Sequence, residues 1–184
     1  MLRTHADAPS GNQSYSTKFC RATAGLSGHI DHILVGGTDW FAPALESRAW
    51  SGGFCLFVLT PELRSVMAVP SLLKSVAERS RKSGRSIEPW FILNRFVESS
   101  AMHATIRARL TAQLGHRLLP FCFPETELVE QALMREINVL DFAPESAFAD
   151  TCFNLAEWYR AISTENSARL SSPAEETQLV SERS

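Results

Sequence analysis

The run FCLFVL (residues 54–59) constrains this chain more than any other segment: it is wholly apolar, with Gly52 and Gly53 before it and Pro61 after it. An alternating strand needs cover on one face only. An uninterrupted apolar run needs cover on both, which is the pattern of a strand inside a parallel sheet. The same beat recurs along the chain. Residues 30–35 read as a strand ending at Gly36 and Gly37, where glycine permits a tight exit turn; Pro89 opens a strand over 90–93, and 117–121 makes another. Helical stretches lie between them: 42–50, then 65–83 with Pro70 near its first turn or as a kink, then 101–114, where Met102, Ile106, Leu110 and Leu114 recur in steps of four. Helices over 125–135 and 144–162 complete the series, the last with Pro144 at its start and acids in its first turns. Strand and helix alternating over short connections predict an α/β fold, a mainly parallel sheet with helices on both faces.

At 184 residues and 45% hydrophobic composition, the chain has enough apolar material for one compact domain. That domain is expected over 28–163. Residues 1–27, rich in Ser, Thr, Ala and Gly, read as a flexible arm, and the polar tail 164–184 reads as disordered. No apolar run approaches the roughly 18 residues that span a bilayer. Cys20, Cys55, Cys122 and Cys152 form no C-x-x-C pair and follow no secretory signal, so reduced thiols and a cytoplasmic location are expected. The formal charge of -2 conceals an asymmetry: residues 74–117 carry nine Lys or Arg against three Glu, and 118–184 carry four Arg against twelve acids. Solvated helix surface accounts for most such charge, and an anionic partner for the basic middle is the alternative.

The strings FILNRF (residues 91–96) and HRLLPFCFPETELVEQALMREINVLDFAPESAFADTCFNLAEWYRAI (116–162) carry a resemblance. They are similar to the C-terminal part of the ParA/MinD-like P-loop ATPases, and within that family to the cellulose-biosynthesis branch of the BcsQ type. The shared order is a strand ending in Asn, a helix, a strand ending in Leu-Pro, a helix, and an aromatic-Ala-Pro-x-Ser entry to a last helix ending in L-A-x-W. Asn94, Pro120, residues 130–139, residues 142–146 and residues 155–158 take those places. HILVGG and FCLFVLTPELRS add weaker support upstream. The resemblance implies an adenine pocket built from Asn94, with Pro120, Phe121 and Pro124 beside it. A side-chain amide offers the donor and acceptor that adenine requires, at the strand end where open α/β sheets bind ligands. Asn94 capping its strand and stabilising a turn is the local alternative.

The phosphate half of such a site is missing. The family's glycine- and lysine-rich loop has no counterpart: SGNQSYSTK (residues 10–18) holds one glycine and follows no strand. Where the resemblance places a Mg²⁺-associated acid the chain has Gly36, with Asp39 three residues on. Phosphoryl transfer depends almost wholly on such groups, so catalysis of ATP hydrolysis is not expected. His29, Asp31 and His32 alternate across a strand and lack a completing cluster, so no metal site is expected. Trp40, Trp50, Trp90 and Trp158 read as packing residues, and Lys74, Arg79, Arg81, Lys82 and Arg85 make only a modest basic cluster for nucleic acid. The tail, with Leu170, Leu179 and Val180 among polar residues, has too little apolar area to anchor to a membrane.

Two functions remain open. The first is a non-catalytic accessory or regulatory protein of bacterial cellulose biosynthesis. It would act through protein–protein association, as a homodimer or heteromer, with the cellulose synthase complex or other operon-encoded proteins, recruited to the inner membrane by a partner. It would hold no cofactor. The second is an adenine-nucleotide-binding switch or ATPase subunit, completed by a partner that supplies phosphate-binding residues. A fragment of a longer relative, with residues 1–27 in place of a lost N-terminal half, is a third reading.

Overall fold

The computed structural model describes residues 54–84 and 86–171. The expected arm 1–27, strand 30–35 and helix 42–50 lie outside the described residues, as do Cys20, Trp40, Trp50, Arg85 and the tail after Ser171. The described residues divide into two units, 54–76 with 88–171, and 77–84 with 86–87.

The elements are β1 (Phe54–Leu59), α1 (Leu63–Ser83), β2 (Glu88–Phe96), α2 (Ala101–Leu114), a 3-10 turn (Gly115–Arg117), β3 (Leu118–Pro124), α3 (Leu128–Met134), α4 (Val139–Phe142) and α5 (Ala147–Ser171). The three strands are parallel in the order β1-β2-β3. Alternation along each strand sends neighbouring side chains to opposite faces. Phe91 and Leu93 of β2 join Leu59, Val66, Val69, Ile106, Leu110 and Leu114 in one core cluster, which places α1 and α2 on the same face. Trp90, on the other face, meets Trp158 of α5 edge-on at 5.3 Å. The fold is therefore α/β, a parallel sheet with helices on both faces.

Several expectations need correction. β1 has the predicted bounds, but its apolar run is not covered throughout: Phe57 and Leu59 pack toward the core cluster while Val58, on the opposite face, is 62% exposed. Pro70 occupies the eighth position of α1, past the first turn, where its missing N–H leaves the Val66 carbonyl without its helical donor. Helix α2 also has the predicted bounds, set by Ser100, whose hydroxyl accepts from the His103 N–H at 3.3 Å. Its stripe is shorter than expected, since Met102 is 66% exposed and its buried positions begin at Ile106.

Strand β2 runs past Asn94 to Phe96, and β3 continues to Pro124. Their register is irregular: Phe91 pairs with Leu118, Leu93 with Cys122 and Phe96 with Pro124. Pro120, which lacks an N–H for the ladder, lies in the first shift, and its carbonyl accepts instead from Arg107 Nη2 at 2.7 Å. Arg95, at φ 62°, lies in the second, where β2 carries the extra residue of a bulge.

The helix expected over 125–135 is α3, followed by the separate α4, which Asn138 starts by accepting the Leu140 N–H at 2.9 Å. The final helix begins at Ala147, not Pro144, because Ser146 Oγ accepts the Ala149 N–H at 3.2 Å. It also continues to Ser171, so residues 164–171 of the expected disordered tail are helical. Ala168, Arg169 and Leu170 favour the helix. Among the described residues no helix is long and apolar enough to cross a membrane. Cys122 and Cys152 are free thiols, and burial pushes both up.

Candidate functional site

Parallel strands deliver their carboxyl ends to one edge of the sheet, where α/β proteins bind ligands. Thr60, Pro61 and Glu62 follow β1 there, Asn94 and Arg95 lie near the end of β2, and Pro124 and Glu125 close β3. The half-buried Asn94 turns its Oδ1 back to accept the Arg95 N–H at 2.9 Å. This local bond supports the left-handed backbone of Arg95, an uncommon state for a residue with a Cβ.

That backbone sends the Arg95 side chain across to β3. Its Nε donates to Glu125 Oε2 at 2.7 Å and its Nη2 to Glu125 Oε1 at 3.0 Å, a two-pronged pair. The Glu125 N–H donates in turn to the Phe96 carbonyl at 3.0 Å, so the strand ends are joined twice. The hydrogen bonds to Glu125 push the Arg95 guanidinium above its ordinary value, with Glu130 and Glu62 contributing through charge alone. The same bonds hold the Glu125 carboxyl below its ordinary value. After β1 the arrangement repeats: Arg64 Nε donates to Glu62, whose carboxyl is lowered chiefly by that bond. Among the described residues, Arg64 and Arg95 at this edge are thus matched by the chain's own carboxylates.

Of the residues predicted for a base pocket, the structure brings Asn94 and Pro124 to neighbouring strand ends. Pro120 and Phe121 lie upstream in the irregular stretch of β3, the first exposed and the second half-buried. A shallow depression of about 580 Å³ lies beside α2, lined by Phe96, Glu98, Ala104, Arg107, Ala108 and Thr111, and it takes in none of the four. The Arg107 guanidinium lies 5.6 Å from the centre of the Phe96 ring above this floor.

Sequence reasoning missed Arg95, Glu125 and His103. Nothing local marks the first two, which are thirty residues apart and meet only through strand pairing. His103 accepts the Val97 N–H through Nδ1 at 3.0 Å and leans on Phe96 at 5.8 Å, which fixes the turn from β2 into α2. Among the described residues no group of three His, Cys, Asp or Glu could hold a metal ion. His29, Asp31, His32, Gly36, Asp39 and residues 10–18 lie outside them. Of the basic cluster, Lys74, Arg81 and Lys82 are exposed and Arg79 is half-buried.

No family model matches this chain, and no curated protein matches it. The fold and the edge together define a class, an α/β protein with a parallel sheet whose strand-end arginines are satisfied from within.

Proposed function

We propose that the chain is a non-catalytic accessory or regulatory protein of a bacterial cellulose-synthesis system, working by protein association at the cytoplasmic side of the inner membrane. The observation that carries the non-catalytic part is the pairing at the strand ends. Arg64 and Arg95 are engaged by Glu62 and Glu125, and Glu130 adds a further carboxylate. A nucleotide arriving at this edge finds both arginines engaged by the chain's own carboxylates, and the glycine- and lysine-rich loop that would hold its phosphates has no counterpart in the sequence. The pathway rests on the resemblance of residues 91–162 to the cellulose-biosynthesis branch of the ParA/MinD-like family. Exposed Val58, Leu63 and Met67 favour association, with the synthase complex or a protein encoded beside it as partner, or with a second copy. The test is deletion of the gene in a cellulose-producing bacterium, with co-purification through a tagged full chain. Reduced cellulose and a retained synthase subunit support the reading; unchanged cellulose with no retained subunit rejects it.

One observation favours the second reading, an adenine-nucleotide switch completed by a partner. The Asn94 amide nitrogen has no hydrogen-bond partner among the described residues and lies at the strand ends near Pro124. Nucleotide binding that appears only with the partner present and is lost in Asn94→Ala distinguishes this reading from the first.

A further inference from the structure

Helix α3 is built with its apolar residues facing outward. Its one buried residue is Ala132, whereas Leu133 is 74% exposed, Met134 86%, and Val129 and the following Ile137 are also exposed. At about 100° per residue, Glu130 falls between Leu133 and Met134 on the outward arc. The end of the helix is firmly closed. The Ile137 N–H donates to the Ala132 carbonyl at 3.1 Å and the Glu136 N–H to the Leu133 carbonyl at 3.0 Å, the paired bonds of a Schellman turn. Glu136 occupies the left-handed position of that turn at φ 57°, where glycine is the usual residue. These apolar side chains are therefore displayed on an ordered support.

The surrounding field is acidic. From 125 to 145 the chain carries Glu125, Glu127, Glu130, Glu136, Asp141 and Glu145 against Arg135 alone. Arg135 itself lies over the Phe142 ring at 4.8 Å. An apolar stripe among carboxylates repels anionic headgroups and nucleic acid alike. A second copy offers Leu63 and Met67 with Lys74 on the same face of α1, but Arg64 beside them is matched by Glu62, so a single exposed cation would stand against the six acids of this surface.

We propose that residues 128–142 dock a basic amphipathic helix of a partner protein. Apolar residues of that helix at i and i+4 cover Val129, Leu133 and Met134, and its Lys or Arg side chains meet Glu130 and Glu136. This rests on the reading that the chain works by association. The probe is a fluorescein-labelled helical peptide with Leu along one face and Lys along the other, compared with a twin carrying Glu in place of Lys. The full chain is titrated by anisotropy as wild type, as Leu133→Ser/Met134→Ser and as Glu130→Lys, each with its fold checked by circular dichroism.

The expected result is saturable binding of the Lys peptide by wild type, weakened about tenfold or more in either variant, with no binding of the Glu twin. Equal binding by wild type and the variants, absence of saturable binding, or equal affinity for the two peptides overturns the proposal. So does self-association in sedimentation that disappears in Leu133→Ser/Met134→Ser, since a second copy then covers the stripe. Failure here while synthase subunits still co-purify removes this surface and leaves association standing; failure of both removes association.

Discussion

Arg95 and Glu136 are the two non-glycine residues with positive φ among the described residues, and each stands where the fold asks for something its local sequence disfavours. At Glu136 the side chain makes the Schellman turn less stable than glycine would. Glu136→Gly therefore raises stability by about 1 kcal/mol, read as a higher urea midpoint with an unchanged slope. At Arg95 the cost is offset by Asn94 and Glu125. The Glu125 carboxyl lies below the ordinary value of 4.5. Between that lowered value and 4.5 the unfolded state binds more protons, so the pair's contribution is complete above 4.5 and is lost as pH falls through the lowered value. Urea midpoints of wild type and Glu125→Gln accordingly stand apart above pH 4.5 and converge in more acidic solution. A gap that persists unchanged into acid contradicts this assignment.

Elements whose signals are local were legible in the sequence. Glycines and a proline bracket FCLFVL, which forms β1 as read, and Ser100 with Gly115 encloses α2 at the expected residues. The break between α3 and α4 escaped because it depends on a left-handed Glu136 and on Asn138 as a cap, whereas the segment has enough helix formers to read as continuous. The α5 boundary moved outward for the converse reason: a polar composition resembles a tail, yet residues joined to an established helix extend it at little cost. Of the candidate site, Asn94 was readable as a residue near a strand end, whereas β3 runs past the expected Phe121 to Pro124. The Arg95–Glu125 pair was not readable, since only strand pairing brings it together. The element-scale test is Leu110, fully buried on α2 between sheet and helix. Leu110→Ala costs about 2–5 kcal/mol, while Met102→Ser on the exposed start of the same helix changes stability by less than about 0.5 kcal/mol, both by urea titration.

At the scale of the molecule, the charge asymmetry of the sequence becomes spatial. Glu125 pairs with Arg95, and Glu130 and Glu62 add negative charge toward it, at the sheet edge that parallel α/β folds use for ligands. Arg64 and Arg95 are engaged from within at this edge, and the proposed association then falls to surfaces such as that of α3. The most direct measurement is titration of the full chain with a fluorescent ATP analogue and Mg²⁺, for wild type and Asn94→Ala. The expected result is no saturable binding by either protein up to millimolar nucleotide. Saturable micromolar binding by the chain alone, abolished in Asn94→Ala, would contradict it.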